Sequence, residues 1–438
     1  MTADTRTPAR PETPAQVVPD AAADASAAKL SGASARLMAR LSRWWDGDRS
    51  LPRADLKPLY TARITDVAAN RTAKQWCAQY TEADSMGKRV LLAELVEIGA
   101  GLEPRADHGL VLLKRLNLQA NSLRFMVDLR ADMLRWRNQV AGLTVLEREL
   151  ESLLSNWFDV GMLELKPITW DSPASLLEKL IQYEAVHEIH SWDELRHRVA
   201  NNRRCYAFFH PRMSDVPLIF VEVAFAHEMA DNVQVLLDPN TPPEALNKAR
   251  WAIFYSISNT QAGLRGISYG NFLLKRVVDE LLRELPQLKS FATLSPIPGF
   301  VEWLKKQDGQ TLQAILPDRT DAQPAHNDPQ AGAQWVELLQ KAAMGATSDA
   351  TERAGIKLAI HYLTSMKNGQ PLDPVARFHL GNGARIERVN WAADKSPKGI
   401  EQSCALMTNY LYDLDQLDKN LVQLAAGKPS TGRNLKRR

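Results

Sequence analysis

The chain changes its hydrophobic period once, near residue 160, and that change limits what it can fold into. Before it, apolar residues recur at helical spacing: Leu92, Leu95, Val96 and Gly99, then Leu123, Val127, Met133 and Leu134, then Leu146, Leu150, Leu153 and Leu154. Such spacing lines one face of a helix. The stretch WFDVGMLELKPITWDSP, carrying Gly161, Pro167 and Pro173, interrupts the pattern. After it come short strand-like runs, CYAFFH (205–210), PLIFVEVAF (217–225), WAIFYSIS (251–258) and FATLS (291–295), with helix-like runs between and after them. The expectation is an α+β protein: an all-helical domain over 34–159, then a mixed α/β domain over 160–425.

Composition frames the partners. The chain has 438 residues, 45% hydrophobic and 24% charged, enough to bury a large core. Its 54 basic and 51 acidic residues leave a formal charge of +3, so nucleic acid is not an expected partner. No apolar run approaches a membrane span, so no membrane partner is expected either. Cys77, Cys205 and Cys404 lie far apart with no CxxC, which fits a reducing compartment without disulfides or zinc. Residues 1–33 hold few large apolar side chains and no secretory or transit pattern, so a disordered tail and a cytoplasmic protein are expected. The basic ending over 426–438 is expected to fray. The Pro- and Gly-bearing section 308–350 reads as an insertion with one short helix.

Charge-bearing motifs mostly have structural readings. In MVDLRADMLRWRN, Arg130, Arg135 and Arg137 alternate with Asp128 and Asp132, as on a solvated helix face or a helix–helix contact. His187, His190 and His197 in HEIHSWDELRH lack the HExxH spacing, whereas Ser191 and Glu194 fit a capping box, so no metal is expected. Two places ask for more. In SFATLSPIPGF the hydroxyl of Ser295 is presented at a strand exit stiffened by Pro296 and Pro298. On residue type alone it is a turn or cap serine, and His379 in RFHLGNG is a strand-end histidine. Between WAIFYSISNT and the amphipathic LLKRVVDELLREL, Gly263, Gly266 and Gly270 form a strand–turn–helix of the kind that binds phosphate, with Arg265 and Lys275 adding charge. It is neither GxGxxG nor a Walker loop, and a plain tight turn explains the glycines as well.

Three long segments, FYSISNTQAGLRGISYGNFLLKRVVDELLRELPQL, FATLSPIPGF and RFHLGNGARIERVNWAADKSPKGIEQSCALMTNYLY, closely resemble the malonyl-CoA decarboxylase family. The likeness runs in order from about Trp157 to Tyr412. It implies a helical oligomerisation domain followed by a catalytic domain of the N-acetyltransferase (GNAT) type, which binds coenzyme A through its pyrophosphate. It places the family's catalytic serine on Ser295, its histidine on His379 and a site tyrosine on Tyr412. It places the coenzyme-binding turn on Arg265, Gly266, Ile267, Ser268, Tyr269, Gly270 and Asn271. Some relatives carry a glutamate where this chain has Ser268, and the ending LKRR differs from the peroxisomal SKL of animal members, which points again to the cytoplasm. Asn390, Asp394 and Lys398 are expected as loop residues along the coenzyme groove.

The implied reaction is decarboxylation of malonyl-CoA to acetyl-CoA and carbon dioxide. Ser295 would hold the thioester enolate and His379 would protonate its carbon. The thioester is itself the electron sink, so no cofactor or metal is expected, and apolar helix faces suggest a homodimer or homotetramer. The alternatives are a GNAT-type N-acyltransferase, a serine–histidine hydrolase, disfavoured by the lack of a GxSxG elbow, and a non-catalytic acyl-CoA-binding scaffold.

Overall fold

The structure, a computed structural model, describes residues 56–435 apart from 104–106, 121–122, 201, 241–244, 268–272, 317–327, 346–347 and 434. The tail expected over 1–33 lies outside the described residues. From Val67 to Trp157 the chain is helical: α1 (Val67–Glu82), α2 (Ser85–Ala100), α3 (His108–Gln119), α4 (Leu123–Trp136) and α5 (Leu143–Trp157). Asp66 and Asp84 start the first two by accepting the amides of Ala69 at 2.8 Å and Gly87 at 2.7 Å. The periodic leucines face inward, and Leu92, Leu95, Leu150 and Leu154 are fully buried.

Beyond the helices stands an eight-stranded sheet. Its strands are β1 (Glu164–Ile168), β2 (Arg203–His210), β3 (Met213–Ala226), β4 (Trp251–Asn259), β5 (Ser290–Thr293), β6 (Ser295–Pro296), β7 (Arg385–Asn390) and β8 (Met407–Tyr412). The order is β1-β2-β3-β4-β5-β8-β6, with β7 also on β8. β4 and β5 run parallel, and the other pairs are antiparallel. β2 and β3 read as nearly unbroken apolar runs because both faces are covered. Tyr206 and Phe208 join the large core shared with the helical half. Cys205, Ala207 and Phe209 meet α6 (Ala174–Tyr183) and α7 (Trp192–Arg198) on the other face. Helix α8 (Leu273–Glu284) buries Val277, Val278 and Leu281 in the larger core.

Two expectations need correction. The section 308–350 holds more than one short helix: α9 (Gly309–Ile315), the fourteen-residue α10 (Ala331–Met344) and the start of α11 (Asp349–Thr364). Periodicity was obscured there because Trp335, Val336 and Leu339 are interleaved with alanine and glycine that also pack inward. The ending is not wholly frayed, since Ile386 donates to the carbonyl of Ser430 at 3.0 Å and accepts from Gly432 at 2.7 Å. For Arg130 the helix–helix contact holds rather than the solvated face: it is 1% exposed and pairs with Glu147 of α5 at 2.9 Å. Elsewhere the capping reading of Ser191 holds: it accepts the Glu194 amide at 3.1 Å, while the Glu194 carboxylate takes the amide of His190 at 2.8 Å. Among the described residues no helix is long and apolar enough to cross a membrane.

Candidate active site

The site begins where β4 and β5 part. Their register ends at Phe254 opposite Thr293, yet β4 continues to Asn259. β5 stops there as well: Leu294 donates back to Phe254 at 3.0 Å, and the next residue, Ser295, pairs with Thr408 of β8 instead. Pro296 keeps the chain extended as it leaves the sheet, and Pro298 opens a turn in which the Phe300 amide donates to the Ile297 carbonyl at 3.1 Å. Ser295 is thus set beside the end of the parallel β4–β5 junction, 6% exposed.

His379 comes from a different element. It sits in the last turn of α12 (Pro374–Gly381), not at a strand end. Asp373 starts that helix by accepting the amide of Ala376 at 2.8 Å, with Pro374 in the first turn. The imidazole lies against the ring of Tyr410, centroids 4.5 Å apart at 24°, and is 3% exposed. Its Nε2 stands 3.3 Å from Ser295 Oγ, and its Nδ1 stands 2.8 Å from the hydroxyl of Tyr412 at the end of β8. Sequence separations of 84 and 33 residues are closed in one chain of contacts.

Burial decides the protonation states. With no counter-charge beside it, the His379 imidazole is pushed down to about 3, so it is neutral near pH 7. Burial also pushes the Tyr412 phenol well above its ordinary range, so it keeps its proton. A Tyr412 hydroxyl that donates to Nδ1 would leave the ring proton on Nε2, facing Ser295. Ser295 in turn donates to Thr293 Oγ1 at 2.8 Å, which also accepts the amide of Tyr410 at 3.1 Å. The result is a line of donors, each fixed by the next.

Two participants escaped the sequence reading. Thr293 lies two residues before Ser295, the strand repeat that puts both side chains on one face, and this spacing was the available signal. Asp373 is fully buried, and burial raises its carboxyl to about 6 while the Ala376 amide opposes the rise. Gly299 of SPIPGF packs against the same place, since a Cβ there would stand 2.1 Å from Tyr362 Oη and 3.9 Å from Asp373 Oδ2. Asp373 and Tyr362 thus join the Ser295 segment to the His379 helix.

Of the seven residues expected in the coenzyme turn, Ser268, Tyr269, Gly270 and Asn271 lie outside the described residues. Arg265 and Gly266 are exposed at the end of a short turn after β4, Ile267 is buried, and Gly266 adopts φ +83°. Lys275 is exposed in the first turn of α8. Asn390 is not a loop residue: it lies in β7 and donates to Asn409 at 2.8 Å. Asp394 and Lys398 line a cavity of about 860 Å³ together with His187 and Arg203. Burial, with Arg198 and Lys398 nearby, presses the His187 imidazole down to about 4 against the pull of Asp394 and Glu184.

Residues 71–158 match the malonyl-CoA decarboxylase N-terminal domain, and residues 161–436 match the malonyl-CoA decarboxylase C-terminal domain. The chain belongs to the malonyl-CoA decarboxylase family. A mitochondrial malonyl-CoA decarboxylase of Mus musculus is 39% identical over 335 residues, 70% of this chain and 65% of that protein. The enzyme of the same name from Rattus norvegicus is 38% identical over 330 residues, again 65% of its length. The chain therefore spans somewhat less than two thirds of these mammalian relatives. Among solved structures, the malonyl-CoA decarboxylase of Cupriavidus metallidurans is 49% identical with a TM-score of 0.78, covering 88% of this chain and 98% of that one. That of Rhodopseudomonas palustris is 34% identical with a TM-score of 0.71, covering 89% and 100%.

Proposed function

We propose that this member of the malonyl-CoA decarboxylase family converts malonyl-CoA to acetyl-CoA and carbon dioxide, with Ser295, His379 and Tyr412 as its catalytic group. The observation that carries the reading is the buried line from Tyr412 through His379 to Ser295 and Thr293, at 2.8, 3.3 and 2.8 Å, beside the end of the parallel junction. Breaking the bond between the α-carbon and the carboxylate leaves an electron pair that spreads onto the thioester oxygen as an enolate. A hydroxyl whose oxygen is already fixed in a water-poor site meets that charge by the turn of a single O–H bond. Ser295 supplies it by turning its O–H from Thr293 to the enolate oxygen. His379 Nε2–H, neutral and directed at Ser295, supplies the proton to the carbon; the imidazolate left behind takes a proton back from solvent, while the Tyr412 hydroxyl at Nδ1 stabilises that charge and holds the ring in its tautomer. One proton is consumed per carbon dioxide released.

In this reading, coenzyme A lies along the turn from Arg265 to Asn271, its phosphates near the start of α8, in a catalytic domain of the GNAT type over 160–425. The helical domain over 34–159 assembles the chain into a homodimer or homotetramer. Cytoplasmic placement is supported by three free, buried cysteines, with the thiols of Cys77 and Cys404 pushed up to about 12 by burial and so unreactive.

Incubation of the purified protein with malonyl-CoA tests the reading, with carbon dioxide and acetyl-CoA formed in equal amounts as the expected result. Free coenzyme released only when an amine is added would replace it with acyl transfer. Free coenzyme without an amine would replace it with hydrolysis, and unchanged thioester would leave a binding protein.

A further inference from the structure

Arg130 belongs to the helical half, but its guanidinium reaches into the turn after β4. It is buried on α4, with its Nε 2.9 Å from Glu147 Oε1 and its Nη2 3.0 Å from Glu151 Oε1, both on α5. The remaining arm leaves the helices: Nη1 donates to the carbonyls of Gly263 and Arg265, each at 2.8 Å. The two surfaces meet so closely that a Cβ on Gly263 would stand 1.8 Å from the carbonyl oxygen of Val127 on α4. Gly266 is less crowded, a Cβ there falling 3.2 Å from Glu151 Oε1. A lysine has neither the planar fork nor enough directed donors to join two carboxylates and two carbonyls at once.

The contact fixes a direction as well as a position. In a trans peptide the C=O and the following N–H point opposite ways. Drawing the carbonyls of Gly263 and Arg265 onto Arg130 therefore turns the N–H groups of Leu264 and Gly266 away from α4 and α5. Leu264 spends its N–H within the turn, on Gln261 at 3.0 Å, whereas that of Gly266 heads the stretch leading to α8. We propose that Arg130 is a positioning residue for coenzyme binding: it sets the peptide planes of residues 263–266 from the helical half, so that this half takes part in recognising the phosphates of the coenzyme. The inference rests on the reading of Arg265 to Asn271 as the coenzyme turn.

Arg130→Met is the direct variant and Glu151→Gln the milder one, because Glu151 is 38% exposed and its loss leaves the Arg130–Glu147 pair in place. Titration with coenzyme A itself requires no turnover. Arg130→Met should weaken it about tenfold, the size of a lost charge-assisted hydrogen bond, and Glu151→Gln should move it less in the same direction. A phosphate-free thioester, malonyl-pantetheine, should keep its kcat/KM within about twofold of the parent in both variants. Equal losses on malonyl-CoA and malonyl-pantetheine, or an unchanged coenzyme titration, would overturn the inference. If Arg130→Met does not fold, Glu151→Gln decides by the same two measurements. A parent protein that binds coenzyme A but leaves malonyl-CoA intact would defeat the decarboxylase reading and leave the coenzyme titration to judge Arg130.

Discussion

Replacing Ser295 by alanine removes one oxygen from a site that is 6% exposed and separates two quantities that the structure lets one calculate. In the resting protein the loss is small. Thr293 Oγ1 keeps the amide of Tyr410 at 3.1 Å, and the group left without a partner is the Nε2–H of His379, already a long 3.3 Å from the serine. One unmet neutral donor costs about 1–3 kcal/mol of stability, and the length of this contact puts the value at the low end. In the transition state the loss is larger, because the missing hydroxyl is the donor that faces the enolate. A preorganised donor of that kind is worth about 3–4 kcal/mol, so kcat should fall by roughly a hundredfold to a thousandfold. KM should stay within about twofold, since the interaction is made only as charge develops. Urea denaturation gives the first number, and acetyl-CoA formation at saturating malonyl-CoA gives the second. A kcat within about threefold of the parent in a folded variant would refute the assignment of Ser295.

Two further expectations concern His379 and its helix. The His379 imidazole is held near 3 in the folded chain against about 6.5 when free. Between those values the unfolded chain binds the extra proton, so this residue makes the protein less stable as pH falls through 6.5. The stability advantage of the parent over His379→Gln should shrink by about 2 kcal/mol from pH 7 to pH 5, and a constant difference would show that the ring is not buried neutral. Asp373→Ala removes the cap of α12 and should cost about 0.5–2 kcal/mol while lowering kcat by displacing His379. Unchanged kcat with the expected loss of stability would limit Asp373 to a structural part.

The switch of period near residue 160 was legible because the central strands are covered on both faces, so β2 and β3 carry runs such as CYAFF and LIFVEVAF that no solvated helix would tolerate. β8 was not, and for the opposite reason. Its sequence MTNYLY is half polar, yet Thr408 and Asn409 are fully buried. Asn409 is satisfied by the carbonyl of Thr293 at 2.7 Å and by the amide of Asn390 at 2.8 Å, partners that come from strands 116 and 19 residues away. β1 was hidden by Pro167, which an edge strand can carry without losing a ladder bond. For Arg130 the sequence left a solvated face and a helix–helix contact equally open, because an alternation of charges looks the same whether water or a neighbouring helix meets the guanidinium.

The same logic explains why the site stands where it does. A parallel pair inside an otherwise antiparallel sheet needs a crossover, here the turn and α8, and once β5 ends at Thr293 the continuing β4 loses that neighbour. β8 then takes over Ser295, and its own end brings Tyr412 to the far side of His379. The catalytic group proposed here is therefore held by strand ends and one capped helix, all rigid backbone, whereas the turn proposed to take the coenzyme follows β4 and has the carbonyls of Gly263 and Arg265 held by a guanidinium of the helical half. Rigid support suits a donor that must be in place before charge appears. If that turn takes the coenzyme as proposed, a change in how the helical half packs would reach the phosphates through Arg130 before it reached Ser295.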